Sequence, residues 1–151
     1  TAIDIIGTVV RLLENWGYAR QKAETGAEPR EVRYPRIKVP VLNEADMFDD
    51  VFPAIARDGA GMAEIGIRLQ KALATLACIE YAPCRETARD HARWALARAM
   101  RGLEDAADRQ RVLDAAMPAI AREFEASTPQ DLRSAGTRRS GPTAHPPSSE
   151  A

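Results

Sequence analysis

The chain has 151 residues and a formal net charge of −1; 45% of its residues are hydrophobic, 28% charged and 5% aromatic. This balance of charge excludes the basic surplus of a dedicated nucleic-acid-binding protein, so we expect no nucleic-acid partner. The large apolar residues suffice for one hydrophobic core, which predicts a single domain. No stretch approaches the roughly 20 apolar residues that a membrane-spanning helix needs.

The first predicted element is an amphipathic helix over residues 2–16, where apolar residues recur every three or four positions. Ile5, Val9 and Leu12 widen this apolar stripe, so we expect the helix to be buried over much of its surface. Gly17 is a residue typical of a helix C-terminus, and we predict that the helix ends there.

Residues 18–31 are polar and contain Pro29, which predicts a loop. Between residues 31 and 42, apolar and basic residues alternate, and this pattern predicts a short extended or β-hairpin segment. Pro35 and Pro40 each lack a backbone N–H, so any strand here would lie at a sheet edge.

The second predicted helix begins after Asn43, a residue type favoured at the N-cap. An apolar stripe follows from Met47 to Ile55. Pro53 lies inside this stripe, where it either kinks the helix or marks the start of a second short one. The glycine-containing residues 58–61 end the segment.

Three further helices are predicted over residues 62–77, over residues 85–102 and from Asp105 onward. The helix over residues 85–102 places small residues on its inward face, where they let a neighbouring helix approach closely: Ala88, Ala92, Ala95 and Ala99. We expect Asp105 to cap the last helix, and Pro118 to bend that helix or end it early.

The composition changes at Ser127, after which Ser, Thr, Pro, Gly and Arg predominate. Such a stretch buries too little apolar surface to order itself, so we predict a disordered tail over residues 127–151. The expected fold is a mostly α bundle of about five helices over residues 1–126. Because the first residues already belong to an apolar helical pattern, we expect an upstream part of the domain to be missing.

His91 is the main candidate for acid–base, metal or ligand chemistry, with Glu86, Asp90 and Trp94 close to it in sequence. A zinc site needs three or four protein ligands in a tetrahedral arrangement. Asp90 and His91 are adjacent and point about a third of a turn apart on a helix. We therefore predict an ordinary histidine on the flank of a helix. We assign no catalytic, cofactor-binding or metal residue and expect no cofactor.

A second cluster contains four acids, Glu44, Asp46, Asp49 and Asp50. It would attract a cation, but it lacks the alternating ligands and the turn glycine of a calcium loop. Acids in the first turn of a helix are expected, because they interact favourably with the helix dipole. We therefore interpret these acids as residues that stabilise the start of a helix rather than as a cation site.

Three stretches together resemble one protein family: Thr1-Ala2-Ile3-Asp4; Phe48-Asp49-Asp50-Val51-Phe52 with Ile55, Gly59-Ala60, Ile67-Arg68-Leu69 and Leu73; and His91-Ala92 with Asp108-Arg109. They resemble the C-terminal region of bacterial predicted membrane proteins of the domain of unknown function twenty-two fifty-four, over about residues 1–115. In that family several membrane-spanning helices precede a mostly helical soluble region. The resemblance implies the cytoplasmic end of an inner-membrane protein, and it implies no catalytic residue.

We therefore expect a non-enzymatic domain with an assembly or regulatory role at the cytoplasmic face of the bacterial inner membrane. Its expected partners are its own upstream membrane region and further copies of itself. Cys78 and Cys84 are too few for a secreted disulfide scaffold, which favours a reducing compartment. Two alternatives stay open: a ligand-sensing or catalytic domain with a pocket near His91, and a free-standing soluble adaptor with a start codon just before Thr1.

Overall fold

The computed structural model of the protein describes residues 1–26, 36–38, 40 and 42–121. Within these ranges the chain forms six α-helices and no β-strand. They are α1 (Ala2–Thr25), α2 (Glu44–Asp49), α3 (Phe52–Asp58), α4 (Ala63–Leu76), α5 (Ala82–Gly102) and α6 (Ala106–Ile120). The prediction of a mostly α fold is confirmed.

The predicted second helix is divided into α2 and α3 at Pro53. This proline lies in the first turn of α3, where the missing N–H would have had no intrahelical acceptor. Pro53 therefore marks a new helix rather than a kink. At the start of α2, the Asn43 side chain accepts a hydrogen bond of 2.9 Å from the N–H of Ala45, which confirms the predicted cap.

The prediction that the first helix ends at Gly17 is wrong, because α1 continues to Thr25. A glycine inside a helix costs about 1 kcal/mol relative to alanine, which is too little to end a helix held by tertiary contacts. A Cβ atom at position 17 would lie only 2.9 Å from Cγ2 of Ile79. Gly17 therefore allows the turn after α4 to pack closely against α1.

Two predicted segments fall largely or wholly outside the described residues. The extended or β-hairpin segment near residues 31–42 is described only at residues 36–38, 40 and 42, and these form no strand. Residues 122–126 and the predicted disordered tail, 127–151, also lie outside the described ranges.

The bundle is built around α4, which packs against α1, α5 and α6, while α2 and α3 pack against α5. The four inward alanines predicted on α5 are buried: Ala88, Ala92, Ala95 and Ala99. The main core cluster includes the large side chains Ile6, Leu13, Phe48, Phe52, Leu69, Leu73 and Leu76. Because α5 lines the core mainly with alanines, its neighbours approach it closely.

A smaller hydrophobic cluster joins α4, the end of α5 and α6, and consists of Ala63, Ala99, Leu103 and Val112. The carboxylate of Asp105 accepts hydrogen bonds of 2.8 and 3.0 Å from the N–H groups of Ala107 and Asp108, which confirms the predicted cap of α6. The helix continues through Pro118 and ends at Ile120.

Candidate functional site

His91 lies on α5 and is only 4% exposed, so it is a core residue rather than a residue of the helix flank. Its Nε2 lies 3.3 Å from Oδ1 of Asp49, the last residue of α2. The ring packs against Phe48 and Phe52, with centroid distances of 5.6 and 5.9 Å. Trp94 meets it edge-on at 5.1 Å.

The structure brings together only part of the predicted pocket near His91. Trp94 contacts the imidazole, whereas Glu86 and Asp90 are exposed and Asp90 accepts a hydrogen bond from Arg93. The carboxylate beside the ring is that of Asp49, which comes from another helix. Spacing along α5 carries no signal for this contact, because it depends on how α2 packs against α5.

The environment of His91 favours the neutral imidazole. Burial lowers the pKa of His91, while the negative charges of Asp49 and Asp90 act in the opposite direction and Arg98 adds to the lowering. Within the described residues, no group of three His, Cys, Asp or Glu side chains is placed to hold a metal ion. The ring itself offers little surface to a ligand.

A partly buried polar cluster, which we call the Glu44 cluster, consists of Trp16, Arg20, Glu44 and Tyr81. Oε1 of Glu44 accepts hydrogen bonds from Trp16 Nε1 at 3.3 Å and from the Tyr81 hydroxyl at 3.1 Å. Nε of Arg20 lies 3.3 Å from the same oxygen and also donates to the Tyr81 hydroxyl. The cluster thus connects α1, the start of α2 and the residue before α5.

Glu44 is held in its charged form inside this cluster. Burial acts to raise the pKa of Glu44, but its own backbone N–H, the donors of Trp16 and Tyr81 and the charge of Arg20 together lower it. The sequence predicts an acid at the start of this helix but not its burial. Trp16 and Tyr81 are the residues from which such a cluster could have been predicted, because buried Trp and Tyr side chains need hydrogen-bond partners.

The two cysteines occupy different environments. Cys84 on α5 is completely buried, and burial raises the pKa of its thiol to about 11, so it is a poor nucleophile. Cys78 lies at the turn after α4, is exposed and is not part of a disulfide.

The outer side of α1 carries large apolar side chains that the described residues do not cover. Ile5 is 55% exposed and Leu12 57% exposed, so the prediction that α1 is buried over much of its surface is wrong. Val9 lies between Ile5 and Leu12 in the sequence, and Trp16 lies one turn after Leu12. Both are half-buried against the core. Positions 5, 9, 12 and 16 have the alternating spacing of a coiled-coil interface. We call these four residues the α1 seam.

The family model described as "Predicted membrane protein (DUF2254)" matches residues 1–75. Residues 1–75, which we call the DUF2254 region, are similar to this family. The match confirms the resemblance found in the sequence, over a shorter range than the expected 1–115. The DUF2254 region includes the α1 seam and Glu44, and it ends before His91 and Asp108-Arg109.

No curated protein and no solved structure matches this chain. In the part of the chain that the structure describes, none of the helices combines the length and the apolar character needed to cross a bilayer. The DUF2254 region thus connects the chain with a family of predicted membrane proteins.

Proposed function

We propose that this chain is a non-enzymatic assembly domain of a DUF2254 membrane protein, and that it associates with a second copy of itself through the α1 seam. The observation that carries this proposal is the exposure of Ile5 and Leu12 on the outer side of α1. Isolated exposed apolar residues are common on protein surfaces. A pair seven residues apart on one helix, with half-buried Val9 between them and half-buried Trp16 one turn further along, is typical of a helix–helix interface.

The pattern of the α1 seam is self-complementary. In an antiparallel pair of α1 helices centred near Val9, Ile5 of one copy would lie opposite Leu12 of the other. A two-fold axis brings the same patch of both copies together, which is the commonest arrangement in soluble homo-oligomers. We infer that a second copy covers the seam better than an unrelated surface would.

The proposed location is the cytoplasmic face of the bacterial inner membrane. The match to a family of predicted membrane proteins supports membrane association. Two cysteines, Cys78 and Cys84, are too few for a secreted disulfide scaffold, which supports a reducing compartment. In this arrangement, association between copies would bring the membrane-embedded parts of two proteins together.

The double variant Ile5→Ser/Leu12→Ser tests this proposal. Burying one such side chain contributes roughly 1.5–3 kcal/mol, and a symmetric pair loses four of them. We therefore expect the dissociation constant of the complex to rise at least about 100-fold. Size-exclusion chromatography with light scattering would show a dimer for the unchanged chain and a mass of 16.5 kDa for the variant at the same concentration.

The matched control is Ile37→Ser/Met62→Ser, which removes two apolar side chains that are 64% and 57% exposed outside the seam. We expect this control to stay dimeric. A mass of 16.5 kDa for the unchanged chain, or equal dissociation of both variants, would contradict the proposal.

The two alternative functions stay predictions. A ligand-sensing or catalytic domain is supported by the contact between His91 and Asp49, but the burial of the ring favours a role in packing. A free-standing adaptor is compatible with the same helical fold. The exposed seam favours assembly over both of them.

A further inference from the structure

A groove of about 400 Å³ lies between the first half of α1 and the middle of α4. Its floor is apolar and includes Ile3, Ile6, Val10 and Ala72. Three cationic side chains line it, Arg11 from α1 and Arg68 and Lys71 from α4. The groove is thus amphiphilic, with positive charge contributed by both of its helices.

The positive charge of the groove is not neutralised by the part of the chain that the structure describes. None of Arg11, Arg68 and Lys71 forms an ion pair there, and Arg11 donates only a long hydrogen bond of 3.4 Å to the Thr8 hydroxyl. Asp4 is the one acid that lines the groove, and its carboxylate accepts a hydrogen bond from the Thr1 hydroxyl. The lining residues therefore carry a net charge of +2, from three cations and one acid.

We propose that this groove binds the headgroup of an acidic phospholipid at the membrane surface. Guanidinium groups hold phosphate oxygens through paired hydrogen bonds, and a lysine adds a point charge. The apolar floor would contact the glycerol and the first carbons of the acyl chains. The groove and the family match point to the same environment, since the groove lies within the region that matches predicted membrane proteins.

The groove and the α1 seam occupy different sides of α1. At about 100° per residue, the groove residues Val10 and Arg11 point roughly 100–160° away from the seam residues Ile5 and Leu12 around the axis of α1. Lipid binding would therefore not require the seam to be free, and a seam variant would keep the groove.

The direct test is co-sedimentation of the whole chain with vesicles of phosphatidylcholine alone or of phosphatidylcholine with one quarter phosphatidylglycerol. We expect binding only to the acidic vesicles, and a decrease in that binding as salt is raised. Arg68→Gln/Lys71→Gln should weaken it roughly 30-fold, from the known contribution of single basic residues near an anionic surface. The charge-retaining Arg68→Lys/Lys71→Arg should still bind.

A charge control separates the groove from general attraction. Arg57→Gln/Arg101→Gln removes two arginines that line a different surface cleft, between α3 and the end of α5. We expect this control to bind acidic vesicles like the unchanged chain. Equal weakening by the two double variants, or equal binding to both kinds of vesicle, would overturn the proposal.

A steric variant leaves every charge in place. Gly7 lines the groove, and a Cβ atom there would have no neighbour within 4 Å, so Gly7→Gln would fill the open space without straining α1. We expect at least a several-fold loss of binding, with helical content and melting temperature unchanged or higher. Undiminished binding by a folded Gly7→Gln protein would show that the groove is not the lipid site.

Discussion

Glu44 places a single buried carboxylate oxygen within reach of Trp16, Tyr81 and Arg20, at 3.3, 3.1 and 3.3 Å. Glu44→Gln keeps the size of the side chain but removes the charge, and an amide oxygen is a weaker acceptor for three donors. We expect the free energy of unfolding to fall by about 1–3 kcal/mol, the range for a disrupted buried polar contact. Urea denaturation at neutral pH measures this change.

The matched control for Glu44 is Asp46→Asn. Asp46 is exposed and lies in the same first turn of α2, so both variants lose an interaction with the helix dipole. The dipole contribution is about 0.3–1 kcal/mol. If both variants lost the same stability, the Glu44 cluster would contribute nothing beyond the dipole.

The burial of His91 predicts that the stability of the folded protein depends on pH. Because burial lowers the pKa of His91 in the folded protein, the unfolded chain binds the proton more strongly. Stability is therefore full above the unfolded pKa of about 6.5 and falls as pH decreases below it. We expect the urea midpoint of the unchanged chain to fall between pH 7.5 and 5.5.

The variant His91→Gln isolates this effect, since His145 is present in both proteins. The variant should be less stable at pH 7.5, because it disturbs the contacts with Phe48 and Phe52, but its stability should change less with pH. A pH dependence equal to that of the unchanged chain would contradict the assignment of the shift to His91.

At the scale of elements, replacing either of two helical glycines with alanine should change the free energy of unfolding, in opposite directions. A Cβ atom at Gly102, the last residue of α5, would lie 2.6 Å from the carbonyl oxygen of Ala60. We expect Gly102→Ala to lower the free energy of unfolding by about 1–3 kcal/mol, as overpacking does. Gly7→Ala meets open space on α1 and should raise it by about 0.5–1 kcal/mol.

Thermal unfolding of the two alanine variants measures both effects. Gly7→Ala serves as the control, because it makes the same chemical change in another helix. A Gly102→Ala protein as stable as the unchanged chain would show that the contact between the end of α5 and Ala60 is not tight.

The elements that sequence reasoning predicts well are those set by neighbouring residues. The caps Asn43 and Asp105 and the inward alanines of α5 depend on spacing along one helix, and the structure confirms them. The end of α1 was predicted wrongly, because Gly17 serves a contact with Ile79, far away in the sequence.

In the candidate site too, contacts within one helix could be predicted from the sequence, whereas contacts between helices could not. The contact between His91 and Trp94 follows from their spacing on one helix. The partners Asp49 and Glu44 come from α2, and they meet His91, Trp16 and Tyr81 only once the folded chain brings α2 beside them. The exposure of Ile5 and Leu12 also could not be predicted from the sequence. The spacing of apolar residues identifies the apolar face of a helix, but it does not show whether another element covers that face.

At the scale of the whole molecule, α1 contributes to two proposed interactions of different physical character. Association through the α1 seam is apolar, so moderate salt should leave it unchanged or strengthen it. Lipid binding in the groove is electrostatic and should weaken as salt is raised. The two interactions can therefore be separated in one protein by changing only the ionic strength.

Sedimentation equilibrium of the unchanged chain, over a range of concentrations at low and high salt, tests the central claim most directly. The account predicts that the mass rises with concentration from 16.5 kDa towards twice that value, and that high salt does not reverse the rise. A mass that stays at 16.5 kDa at every concentration, or association that disappears in high salt, would contradict assembly through the apolar seam of α1.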